Sequence, residues 1–317
     1  MKGLTDIEGI LVGHATDRAA ITGCTAIVCP RGAAAGVDIR GSATGSVQTD
    51  VLSSLHHADQ IHGLMLSGGS AYGLETAFGL MRFLEKKGIG FPTSAGVVPL
   101  VPCAIIFDLP IAKARPGREM GLRAGEAASD APVAEGCVGA GTGATVGKLF
   151  GMKHAMKSGV GSYTVWLDGP YAGVRVAALA VVNAFGDVRE AESGHILAGA
   201  RTTAEGSEFA DMAYQLKRGA QSPGFRKENT TLVVVATNAR LDKAGATKLA
   251  QFGSIGVAKT ITPVWTPYDG DITFGLSCGD EKADIVALGV AAAEAVEQAI
   301  LRSVRRAESL GGIPGLG

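Results

Sequence analysis

The segment KENTTLVVVATN, residues 227–238, sets a polar stretch directly against a buried-type apolar run, with the Asn229-Thr230 bond at the junction. A threonine placed there can attack the carbonyl that precedes it. The resulting ester would release a new amino group on Thr230 itself, and that amine can act as base for the same hydroxyl. A free α-amino group has a reference pKa of ~7.7–8.0, suited to a base working near neutral pH. The same residues also fit a polar loop entering a strand, so the motif alone leaves both readings open.

Other chemistry-bearing patterns are weaker. GAGTGATVGKL, residues 139–149, looks at first like a phosphate-binding loop. That loop requires Gly, four residues, then Gly-Lys-Ser/Thr. Here Thr142 holds the position five before Gly147, and Leu149 follows Lys148, so both requirements fail. A Gly-rich loop and a functional pocket wall remain the two readings. His56 and His57 are adjacent and cannot share a helical face as an i, i+4 metal pair. His14, His62, His154 and His195 stand far apart and read as surface or core histidines, so no metal site is expected. Asp269 and Asp271 flank one glycine, which by itself is a turn. The loop Ser67, Gly68, Gly69, Ser70 follows an apolar run and could wall a pocket with exposed amides.

The elements that must position these residues are legible in outline. Strands are expected over residues 7–12, 22–29, 60–66, 103–109, 163–167, 174–183, 232–236 and 272–277. Helices are expected from residue 74 to the stop at Gly88, and over 117–128, 209–216, 241–258 and 282–308. The Gly/Ala-rich stretch 31–45 reads as a loop, and Pro223-Gly224 as a turn. Hairpins mixed with helices, without regular βαβ alternation, indicate layered α+β packing.

Hydrophobic residues make up 46% of the 317 residues and charged ones 19%, enough to bury a sizeable core. The 46 glycines are about twice the usual ~7%, and their lack of a three-residue period excludes collagen. A net charge of −1 without a basic run gives no reason to expect nucleic acid as partner. Five scattered cysteines read as free thiols. The opening MKGLTDIEGI has no apolar h-region, and no apolar run reaches membrane length, so a soluble cytoplasmic protein is expected.

Taken together, LTDIEGILVGHAT, GCTAIVCPRGAAAGVDIRG, SGGSAYGLE, AIIFDL, GAGTGATVGK, VVNAFGDV, NTTLVVVATNA and the downstream DGD resemble the P1-type peptidases. That family includes the L-aminopeptidase/D-Ala-esterases, the β-peptidyl aminopeptidases and the nylon-oligomer (6-aminohexanoate oligomer) hydrolases. The resemblance runs over roughly residues 3 to 305, with the motifs in the same order. It implies an α+β fold, a four-layer αββα sandwich resembling the N-terminal-nucleophile hydrolases. It further implies a single domain self-cleaved into residues 1–229 and 230–317, two chains that stay together, and homo-oligomers, often tetramers.

Carried over by position, the resemblance makes Thr230 the nucleophile and Asn229 the residue ahead of the cut. Lys148 falls on a lysine of the nylon-oligomer branch, where an ammonium would lower a neighbouring pKa and help move a proton. Asn183 matches a site asparagine whose amide could donate to an oxyanion. Asp269 and Asp271 match an acidic pair that could orient Lys148 or Thr230, or bind a substrate ammonium. The other branches carry serine as nucleophile, so Thr230 with Asp269 and Asp271 points to the nylon-hydrolase-like side. One departure is clear: Phe107 stands where that branch has a site tyrosine, so no phenol can act there.

The expected activity is hydrolysis of small peptides, amino-acid amides or 6-aminohexanoate oligomers, with no metal or organic cofactor. The expected partners are a small-molecule or short-peptide substrate, with neither nucleic acid nor membrane. Two alternatives are an acyltransferase of the ornithine-acetyltransferase type and an uncleaved, non-catalytic homologue.

Overall fold

The computed structural model describes residues 1–221 and 229–317, and the expected Pro223-Gly224 turn lies outside the described residues. Nine strands form one continuous ladder: Leu11–Asp17 (β1), Thr22–Ile39 (β2), Ser46–Val47 (β3), Ile61–Ser67 (β4), Cys103–Ile105 (β5), Val160–Trp166 (β6), Arg175–Asn183 (β7), Thr230–Ala239 (β8) and Ile272–Glu281 (β9). Their order is β6-β7-β8-β9-β2-β4-β5-β3, with β1 paired to β2. The long strand β2 belongs to two sheets. Its first part pairs with β1 and β4, its last part pairs with β9, and the register shifts between Val28 and Ala33.

The bend in β2 stacks one part of the ladder on the other, and side-chain alternation fills the layers between. Along β7, Ala177, Leu179 and Val181 face inward to Ile27, Leu64 and Leu66 of the opposing sheet. Val176, Ala178, Ala180 and Val182 point the other way, toward the helices Lys243–Thr260 and Ile285–Arg305. On the far side, Cys24, Ala26, Val28 and Met65 pack with Leu80 and Ala124 of the helices Glu75–Lys86 and Arg118–Glu126. Three cores therefore separate four layers, helix, sheet, sheet, helix, as the resemblance implied.

Two expectations are corrected. Residues 7–12 are not one strand: a short 3-10 turn, Gly3–Asp6, precedes β1. Gly9, at φ +89°, interrupts the extended chain, while Ile7 and Ile10 both reach the core from the turn. Residues 31–45 are not all loop either, because β2 continues to Ile39. The small residues there answer a packing demand. A Cβ at Gly36 would come within 2.2 Å of the Thr247 nitrogen, so only glycine lets that helix lie on the strand. Among the described residues, no helix is long and apolar enough to cross a membrane.

Candidate active site

Strand register assembles the site. In the antiparallel β7–β8 pair Asn183 lies opposite Thr230, so the last residue of one strand faces the first of the other. On its other edge β8 runs parallel to β9, with Leu232 beside Ile272. The Asp269-Gly270-Asp271 turn that leads into β9 is thereby carried alongside residues 229–231, and Asn229 forms an isolated parallel bridge with Asp269. Five of the residues picked out from the sequence, Asn183, Asn229, Thr230, Asp269 and Asp271, thus meet at one end of three neighbouring strands.

The Asn229-Thr230 peptide is buried, with Asn229 at 2% and Thr230 at 3% exposure. The Asn229 carbonyl oxygen accepts two hydrogen bonds, from the Thr230 hydroxyl at 2.6 Å and from the Gly270 N–H at 2.7 Å. Two donors on one buried carbonyl polarise it, and the Gly270 N–H is placed to hold negative charge that develops on that oxygen. The Asn229 side chain has no hydrogen-bond partner for either of its amide atoms among the described residues.

Lys148 reaches this end of the sheet from the Gly-rich loop. Its Nζ donates to the backbone oxygen of Asn183 at 3.0 Å and to Asn183 Oδ1 at 2.9 Å. The same Oδ1 accepts from the Thr145 N–H at 3.1 Å. The Asn183 amide group donates to the Phe107 carbonyl at 3.1 Å. Phe107 therefore contributes a main-chain acceptor, and in the intact chain the oxygen of Asn229 is met by Gly270 and Thr230 rather than by the Asn183 amide.

Burial governs the acidic pair. The Asp271 carboxyl is pushed up to about 8, first by its removal from water and next by the charge of Asp269; hydrogen bonds from Thr231 and Trp265 oppose the rise. Thr231 N–H donates to Asp271 Oδ1 at 2.5 Å. Burial likewise raises Asp269, opposed by Thr266, whose N–H donates at 2.7 Å, and by the charge of Lys148. Two buried carboxyls so close resist ionising together, so the pair titrates as a unit and retains a proton near neutrality.

A cavity of about 10 Å³, room for about one water, adjoins the Asn229 side chain; Phe107, Asp108, Ile111, Thr145, Lys148 and Met152 are among its walls. The loop Ser67, Gly68, Gly69 and Ser70 stands behind Asp108, outside that lining among the described residues. Gly69 N–H donates to Asp108 Oδ1 at 2.7 Å, and a Cβ at Gly68 would come 2.2 Å from Asp108 Oδ2.

Three contributors escaped the sequence reading. Gly270 was seen only as the spacer of a turn, yet its N–H is the donor to Asn229. Asp108 is 1% exposed and accepts from Thr22 Oγ1 at 2.7 Å; its only sequence signal was its place in AIIFDL. Residues 40–43 pin the acidic turn, with Arg40 and Gly41 donating to the Asp271 carbonyl and Ala43 to that of Asp269.

Comparison with known proteins matches this chain to one family. The model of peptidase family S58 covers residues 2–316. An uncharacterized aminopeptidase of Mycobacterium bovis is 37% identical over 344 residues, spanning 99% of this chain and 96% of that protein. A 6-aminohexanoate-oligomer endohydrolase of Kocuria sp. is 28% identical over 319 residues, 95% of this chain and 85% of its own length. Among solved structures, a Burkholderia sp. beta-aminopeptidase superposes with a TM-score of 0.72 at 22% identity, covering 100% of this chain and 91% of its own. The L-aminopeptidase D-Ala-esterase/amidase of Ochrobactrum anthropi, described as a variant of the Ntn hydrolase fold, superposes with a TM-score of 0.73 at 18% identity over 99% of this chain and 88% of its own. Shared fold and a match along nearly the whole sequence place this chain in peptidase family S58, as a hydrolase of peptide or amide bonds.

Proposed function

We propose that this hydrolase is self-processing, cut between Asn229 and Thr230 into chains 1–229 and 230–317, and that Thr230 is then its N-terminal nucleophile. The observation that carries this reading is the Asn229 carbonyl, buried and held by both the Gly270 N–H and the Thr230 hydroxyl. In the first step Thr230 Oγ1 adds to the Asn229 carbonyl carbon and gives up its proton. The oxyanion stays on the Gly270 N–H, the Asn229–Thr230 C–N bond breaks, and the nitrogen takes a proton to become the free amine. Water then hydrolyses the ester, leaving the Asn229 carboxylate and a restored hydroxyl.

The cut chains would remain one body. Strands β8 and β9 come from the smaller chain, and they are flanked in the sheet by β7 and β2 of the larger one. In turnover the substrate carbonyl takes the place of the Asn229 carbonyl. The Thr230 amine accepts the hydroxyl proton, and Lys148 and the acidic pair set the local charge. The cavity beside Asn229 holds about one water in the intact chain, so substrate entry depends on the release of Asn229.

The names of the relatives suggest the substrates: small peptides, amino-acid amides and 6-aminohexanoate oligomers. A panel of the three, assayed with the wild type and Thr230→Ala, tests the reading. Thr230-dependent release of amine from at least one class supports it, and equal rates in the two proteins refute it. An added amine that captures the acyl group in preference to water would turn the assignment from hydrolase to acyltransferase.

A further inference from the structure

Lys157 is completely buried, at 0% exposure, and no step above uses it. It ends the short strand Met156–Lys157, which pairs with Thr145–Val146. Its Nζ donates to the carbonyl oxygens of Thr142 at 2.9 Å and Ala144 at 2.6 Å. The following N–H, that of Ser158, also donates to Ala144 O at 3.1 Å. Taking an ammonium out of water is costly, and two neutral carbonyls offset only part of that cost. A methionine of similar length would fill the space without it, so packing alone does not account for a lysine.

What the ammonium clamps is the wall of the active-site cavity. Gly143, between the two clamped carbonyls, lines that cavity and lies against Asp108; a Cβ there would come 2.5 Å from Asp108 Cβ. The next residue after Ala144 is Thr145, whose N–H donates to Asn183 Oδ1, the atom that Lys148 also reaches. Asp108 and Lys157 feel one another's charge, each easing the other's burial. The turn 142–145 is thus held between a buried cation and a buried acid.

We propose that Lys157 is a positioning residue of the active site: by holding the Thr142 and Ala144 carbonyls it fixes the Gly-rich turn so that the Thr145 N–H and the Lys148 ammonium converge on Asn183. The kinetic part of this inference rests on the hydrolase reading above; the geometric part does not.

The test combines kinetics with crystallography of Lys157→Met. A displaced wall of this kind is expected to lower kcat by about 10-fold or more. A residue that acts only through Asn183 adds nothing once Asn183 is gone, so Lys157→Met/Asn183→Ala should be no slower than Asn183→Ala alone. A merely structural lysine would instead multiply the two losses. In the crystal structure of Lys157→Met the Thr145 nitrogen should lie beyond hydrogen-bond distance of Asn183 Oδ1, against 3.1 Å in the native chain. Wild-type kcat, multiplied losses, or an unmoved turn would each overturn the proposal. If Lys157→Met fails to fold, Lys157→Gln, which keeps a donor for one carbonyl, should show a smaller loss of the same kind, and a wild-type rate there would overturn it equally. A wild-type protein with neither self-cleavage nor amidase activity would refute the hydrolase reading, and the crystallographic comparison would still decide the role of Lys157.

Discussion

The Gly270 N–H points at the Asn229 carbonyl oxygen from 2.7 Å, and a Cβ on Gly270 would stand 2.8 Å from both Thr230 Oγ1 and Ala43 O. The residue that donates to the carbonyl of the proposed cleavage bond is therefore also the one that leaves room for the Thr230 hydroxyl. Gly270→Ala is expected to fold and to slow conversion of the 317-residue chain by about 10-fold or more, since it disturbs both donor and nucleophile. A time course of band intensities on denaturing gels measures this, and an unchanged half-time would contradict it.

Asn183 joins three parts of the site through one side chain: Lys148 and Thr145 at its oxygen, Phe107 at its nitrogen. Removing it with Asn183→Ala leaves buried donors and an acceptor unmatched, at a cost of ~1–3 kcal/mol for each group left unpaired. We expect a lower melting temperature and a loss of about 10-fold or more in kcat, because Lys148 loses the side-chain acceptor that holds its ammonium at the site. Steady-state kinetics beside thermal melts check the two together. A variant that loses stability but keeps wild-type kcat would remove Asn183 from the chemistry.

The raised Asp271 carboxyl makes a prediction about pH with a definite sign. Burial pushes it up to about 8 in the fold against an ordinary aspartate value of 3.8, so folding favours the protonated form. Its stabilising contribution is complete below the lower value, declines as pH rises between the two, and is gone above the upper one. Asp271→Asn cannot ionise and should lose less stability than the wild type between about pH 4 and pH 8, in a Thr230→Ala background that keeps both chains uncut. Denaturant midpoints across that window provide the comparison. Parallel curves for the two proteins would show that Asp271 is not held protonated.

Packing in the Gly/Ala-rich part of β2 predicts a loss of stability far from any chemistry. Gly36→Val would drive a side chain into the backbone of the helix Lys243–Thr260, where the Thr247 nitrogen lies 2.2 Å from the added Cβ. Overpacking of this kind costs ~1–3 kcal/mol or more. Chemical denaturation should show the shift, and wild-type stability would mean that the helix does not lie so close.

That same stretch shows how far the sequence could be read. Nearly unbroken apolar runs over residues 174–183 and 232–236 marked the buried strands, because both faces of each strand meet a core. In residues 31–39 the demand is for absence of side chain, which leaves the same composition as a loop. Thr230, Asn183, Lys148 and the acidic pair were legible as residue types in matching motifs, and the structure gathers them through the register of β7, β8 and β9. Gly270 was not legible as a donor because a main-chain N–H has no letter of its own. Lys157 looked like any lysine, since neither its burial nor the carbonyls it holds can be read from its neighbours in the chain.

Intact-mass analysis of the purified protein, with N-terminal sequencing of the smaller species, tests the central claim most directly. The account predicts two chains, residues 1–229 and 230–317, the second beginning with Thr230 as a free amine, while Thr230→Ala stays at the full 317 residues. A wild-type protein that hydrolyses amides as one uncut chain, or one cut at any other bond, would contradict it.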